Sequence, residues 1–230
     1  MMTALKLWFS QLEWEKLLYL LLGAAACLLC IMFHEVCHGL CAYALGDDTA
    51  KRDGRLSFNP LRHIDWVGLL MLVTVHFGWA KPVPVRTDRL RHPRRDMALV
   101  ALAGPAGNIL LACIMMPLSI LVRYHYYLTP GGSEVLYYLD YFLSYCIMLN
   151  VGLAIFNLFP IPPLDGSKVL FSCLPPKAYY QLLRYEKYGM LLLVALLMLG
   201  VLDGPLNFLA DRLTQLIFTL FGQPVLELLI

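Results

Sequence analysis

From residue 17 to residue 45 the sequence is almost wholly apolar, yet it carries one carboxylate, Glu35, and two histidines, His34 and His38. About 20 apolar residues rising 1.5 Å each cross a hydrocarbon layer of about 30 Å. In that layer every backbone polar group needs a partner within the protein, which selects helices for such runs. Residues 97 to 122 and 136 to 160 meet the same length requirement, and the C-terminal part holds two more apolar runs broken by LDGPLN at 202 to 207. The run from Trp66 to Trp79 is too short to cross and leads into AKPVPV, whose alternate prolines favour extended chain. The sequence therefore predicts an all-α polytopic membrane protein of about five to six transmembrane helices, with a short re-entrant or strand-like segment near residues 66–85. No repeat, low-complexity tract or polar linker divides it, so residues 1–230 read as one domain, with a core at 17–175 and a C-terminal helical hairpin at 186–222.

Hydrophobic residues make up 60% of the chain and charged residues 15%, against about 45–50% and 25% in soluble domains. The net charge is +2, and its basic residues gather in particular loops. That speaks to orientation in a lipid bilayer, and no nucleic-acid partner is expected. Lys81, Arg86, Arg89, Arg91, Arg94 and Arg95 fall between 80 and 96, and Lys168, Lys177, Arg184 and Lys187 between 167 and 187, whereas 123 to 135 has only Arg123. The first two loops are expected on the cytoplasmic side of a prokaryotic cell membrane and the N-terminus outside. The N-terminal stretch lacks a small-residue cleavage site, so the first apolar helix is expected to stay. Asn207, Asp211, Gln215 and Thr219 recur every four residues. Such a stripe also suits an interfacial helix, and crossing is slightly preferred. The seven cysteines lie mostly in apolar stretches and are read as reduced.

On a helix, His34 and His38 in HEVCH point the same way one turn apart, able to grip one cation. Glu35 lies about 100° from His34 and about 60° from His38, within reach of a water on that cation. Neutral imidazoles suit zinc, and a catalytic zinc wants three protein ligands and one open position. Asp165, in FNLFPIPPLDG at 156 to 166, supplies the third: prolines 160, 162 and 163 end an apolar run there, and counting crossings brings that end to the depth of the two histidines. Standing alone, Asp165 and Gly166 would read as a polar turn.

These segments resemble the site-2 proteases, intramembrane zinc metalloproteases, in their compact bacterial and archaeal branch without PDZ or CBS domains. HEVCH matches the family's HExxH, NLFPIPPLDG its segment ending in DG, and GPAGN at 104 to 108 its GPxxN; FNPLRHID at 58 to 65 and FGWAKPVPV at 77 to 85 add to the likeness. It spans residues 17 to 175. Trp66 stands where the pattern has proline. The resemblance implies one zinc per chain on His34, His38 and Asp165, Glu35 as catalytic acid/base, and Asn157 contacting the substrate main chain near the scissile bond. Transmembrane proteins are the implied substrates, with the active site towards the cytoplasmic side.

Several roles stay open. Asn157 either donates to the developing oxyanion or holds the peptide. Asn108 either hydrogen-bonds a ligand side chain or only eases helix packing beside Gly104 and Gly107. His63 and His76 read as structural hydrogen-bonding residues more readily than as a proton route. Cys27, Cys30, Cys37 and Cys41 share the face of His34 as small apolar fillers, with oxidation sensitivity as the sharper alternative for Cys37 and Cys41. A cation or proton transporter is the alternative function, since intramembrane His, Glu and Asp also build ion pathways.

Overall fold

The computed structural model describes residues 13–65 and 81–230. Helix α1, Trp14–Ala44, runs through the first apolar stretch and stops where Gly46 takes a positive φ of 112°, which glycine adopts without a Cβ clash. Asp47 accepts the Thr49 amide at 3.0 Å and starts the short α2, Thr49–Arg52. A 3-10 turn at Pro60–Arg62 follows, capped by the Asn59 side chain accepting from the Leu61 amide at 3.1 Å, and a second at Thr87–Arg89. Pro93 opens α3, Pro93–Leu128, at a position where its missing N–H costs nothing. Helix α4, Glu134–Leu158, is capped by Ser133 and ends before the prolines. Then come α5, Asp165–Ser172, α6, Pro176–Met198, and α7, Asp203–Ile217. A π-helical turn at Phe218–Gly222 leads into α8, Gln223–Leu229.

Helices α1, α3 and α4 share one core. Ala26 and Cys30 of α1 meet Ala112, Met115 and Met116 of α3 and Leu143, Cys146, Ile147 and Val151 of α4, with Leu213 and Ile217 of α7 packed alongside. Small side chains let these helices approach closely. Their outer faces carry large apolar groups in the open, such as Leu20, Leu110, Ile114 and Met148, as surfaces facing lipid do. A second, smaller cluster sets Leu164 against Leu193 of α6 and Leu202 at the α6–α7 elbow. That packing fixes the residue before Asp165.

The all-helical polytopic class stands, and no strand occurs among the described residues. Among the described residues α1, α3 and α4 are long and apolar enough to cross, and a fourth span arises only if the bent pair Tyr188–Met198 with Asp203–Leu229 counts as one. The two halves of that pair meet at 85°, where the turn around Gly200 (φ 66°) redirects the chain, the geometry of a broken span or a re-entrant loop. Asn207, Asp211, Gln215 and Thr219 all face outward from the protein. Most of the re-entrant segment expected near 66–85, and His76 with it, lies outside the described residues. Its flanks are held together: the Lys81 amide donates to the His63 carbonyl at 2.9 Å. Buried Arg55 binds the carbonyls of Arg62, Lys81 and Pro82.

Candidate metal centre

His34, Glu35 and His38 lie in the C-terminal half of α1, Asn108 in α3, Asn157 near the end of α4, and Asp165 at the first position of α5. The structure brings His34, His38 and Asp165 into contact. The two Nε2 atoms are 2.9 Å apart, and Asp165 Oδ2 is 3.2 Å from the first and 3.1 Å from the second. All three side chains are buried.

Hydrogen bonds on the far sides of the rings decide which nitrogens carry protons. His38 Nδ1 is 2.6 Å from the Val100 carbonyl, which only accepts, so Nδ1 donates and Nε2 of the neutral ring keeps its lone pair. His34 Nδ1 lies 3.2 Å from Asn108 Oδ1, with the same result. With both Nδ1 atoms turned to acceptors, the two Nε2 lone pairs of the neutral rings and a carboxylate oxygen converge on one point, a donor set able to close on a cation. Ligand distances of about 2.0–2.1 Å in a tetrahedron separate neighbouring donor atoms by roughly 3.3–3.4 Å, close to the observed triangle. The donor set fits zinc.

Glycines make the approach possible. A Cβ on Gly104 would lie 2.5 Å from His38 Cε1 and 2.6 Å from His34 Cε1, so both rings rest on bare backbone of α3. A Cβ on Gly166 would stand 2.5 Å from the Leu158 carbonyl carbon and 2.6 Å from the Phe159 oxygen. The start of α5 is pressed onto the end of α4, and Asp165 is carried to the histidines by that contact.

Beside the triangle is a cavity of about 340 Å³ lined by His34, Glu35, His38, Pro82, Val83, Val85, Met97, Val100, Ala101, Asn157, Pro163, Asp165 and Lys168. Glu35 Oε2 accepts the Val83 amide at 2.7 Å, which fixes the carboxylate against the extended 81–86 segment. Asn157 donates from Nδ2 to the Leu153 carbonyl at 2.9 Å. Asn108 is fully buried, and its Nδ2 lacks a partner while its oxygen faces His34. His63 is also buried; its Nε2 donates to the Ser57 carbonyl at 2.8 Å, and it does not line the cavity.

Sequence reasoning missed three parts of this arrangement: the Val100 carbonyl, the Val83 amide and Lys168, whose Nζ lies 3.5 Å from Asp165 Oδ1. The first leaves no sequence signal, because any residue supplies a carbonyl. The second had one: between two prolines, Val83 is the residue left with an N–H. Lys168 stands three residues after Asp165 on a helix, a spacing that makes neighbours.

The family model described as peptidase family M50 matches residues 22–200. YwhC of Bacillus subtilis, provisionally named a zinc metalloprotease, is 39% identical over 201 residues, covering 84% of this chain and 89% of its own. Rip2 of Mycolicibacterium smegmatis, with the same kind of name, is 30% identical over 189 residues, covering 80% of this chain and 69% of its own. MJ0611 of Methanocaldococcus jannaschii, also so named, is 39% identical over 71 residues, covering 31% of each chain. No solved structure matches. The chain belongs to peptidase family M50, the site-2 protease family, and is a zinc metallopeptidase built on membrane helices.

Proposed function

We propose that this protein hydrolyses peptide bonds in or near the transmembrane segments of other membrane proteins, as in regulated intramembrane proteolysis, with one zinc per chain on His34, His38 and Asp165. The observation that carries the reading is the convergence of two imidazole Nε2 atoms and a carboxylate oxygen beside Glu35, on helices long and apolar enough to cross a membrane. When bound, zinc supplies Lewis acidity that polarises a carbonyl and eases deprotonation of water.

The chain's own residues do the rest. Glu35 takes the proton from the attacking water on a carboxylate oxygen and returns it to the departing amine nitrogen. The Val83 amide holds that carboxylate at the cavity wall. Asn108 and the Val100 carbonyl fix the tautomer and tilt of the two histidines, as partners behind ligands do. Asn157 lines the cavity, with its oxygen free of the bond its amide makes, placed to hold substrate main chain or to stabilise the oxyanion through its amide after a change of partner.

A substrate helix hides its carbonyls in internal bonds and has to unwind locally to be cut. The extended stretch of Pro82, Val83 and Val85 along the cavity supports pairing with the unwound peptide as an added strand. Basic residues around the cavity, Lys168 with Arg86, Arg89, Arg94 and Arg95 in the adjoining segment, support a site towards the cytoplasmic face of the cell membrane. Purified protein with Glu35→Gln is expected to keep its zinc and lose cleavage of a transmembrane substrate in detergent or vesicles. Cleavage at the wild-type rate would overturn the reading.

A further inference from the structure

The carboxylate of Asp165 has two oxygens, and they have different neighbours. Oδ2 meets both imidazole nitrogens at 3.2 and 3.1 Å, while Oδ1 faces Lys168 Nζ at 3.5 Å. Asp165 and Lys168 are three residues apart in the first turn of α5, so one helix presents both groups to the cavity. The Lys168 side chain is 30% exposed against 10% for that of Asp165, so the lysine is the more open of the two groups on the cavity wall.

We infer that Lys168 is a positioning residue: it holds Asp165 Oδ1 away from the histidines so that the carboxylate meets the metal through Oδ2 alone. This rests on the zinc reading of the preceding section. The terminal torsion of an aspartate is broad, and a carboxylate free to turn can offer a metal both oxygens. A catalytic zinc with three protein ligands keeps its fourth position for water or substrate, and a second carboxylate oxygen would compete for it. The other acidic side chain lining the cavity, Glu35, is tied to the Val83 amide and does not compete for Lys168. A lysine serving only loop charge needs no place on this wall.

The test uses cobalt(II) in the full-length protein, exchanged for zinc, and reads the visible ligand-field bands. Wild type, Lys168→Met and Lys168→Arg are compared after circular dichroism has established native helix content in each. The expected result is equal cobalt stoichiometry in all three, with bands in Lys168→Met that lose intensity and shift as the coordination number rises. Lys168→Arg restores the wild-type spectrum. Wild-type bands in Lys168→Met overturn the inference and leave the zinc reading intact. No cobalt–ligand bands in the wild type itself overturn both.

Discussion

Gly104 decides whether two imidazoles can lie against α3, because both rings occupy the space a side chain would need. Gly104→Ala is expected to cost about 1–3 kcal/mol through overpacking and to weaken zinc binding by about 10–100-fold, the range for displaced support around a ligand. Thermal melts with zinc titration against a chelator measure both. Asp47 makes a separate prediction. Burial opposes its ionisation, but the Thr49 hydroxyl and the Arg86 and Thr49 amides outweigh that and hold its carboxyl below the usual range. A carboxylate with a depressed folded pKa contributes stability that is full above its unfolded pKa, about 3.9, and is lost as pH falls through the folded value. Asp47→Asn should therefore melt below wild type at neutral pH, by about 1.5–3 kcal/mol for a charged hydrogen-bond acceptor, and the gap should close as pH falls below about 4. A gap unchanged down to acid pH would show that the shift contributes nothing. At this scale the sequence was most legible where chemistry and spacing coincide, as at His34, Glu35 and His38. It was silent where a backbone group acts, as at Val100.

The segment from 81 to 86 is held from two sides. Arg55 binds carbonyls at both flanks of residues 66–80, and Glu35 takes the Val83 amide. Arg55→Ala is expected to loosen those flanks, raising hydrogen exchange at the Lys81 and Val83 amides at least tenfold while leaving α1 protected. Unchanged exchange would mean that the arginine is not what fastens them. The helices themselves were readable, since apolar length and hydrogen-bond satisfaction place α1 and α4 within three residues at each end, whereas α3 runs four and six residues past the apolar stretch at 97 to 122. The elbow between α6 and α7 was not. Apolar length does not encode the 85° bend, which sits at a local turn packed by Leu202 against Leu164 and Leu193. The polar stripe of Asn207, Asp211, Gln215 and Thr219 was the available hint, and it faces outward.

For the whole molecule, three segments distant in sequence make one centre: α1 supplies two imidazoles, α3 the glycine floor and the orienting Asn108, and α5 the carboxylate. Their meeting was foreseeable from crossing parity, by which the sequence predicts residues 34 to 38 and 165 at similar depth. The glycines that permit the contact were visible only as parts of motifs. The measurement that tests this account most directly is metal analysis of the purified protein beside His34→Ala and Asp165→Ala. The account predicts about one zinc per chain in the wild type, for a single three-ligand site, and its loss from both variants with helix content retained. Stoichiometric zinc surviving in either variant, or none in the wild type, would contradict it.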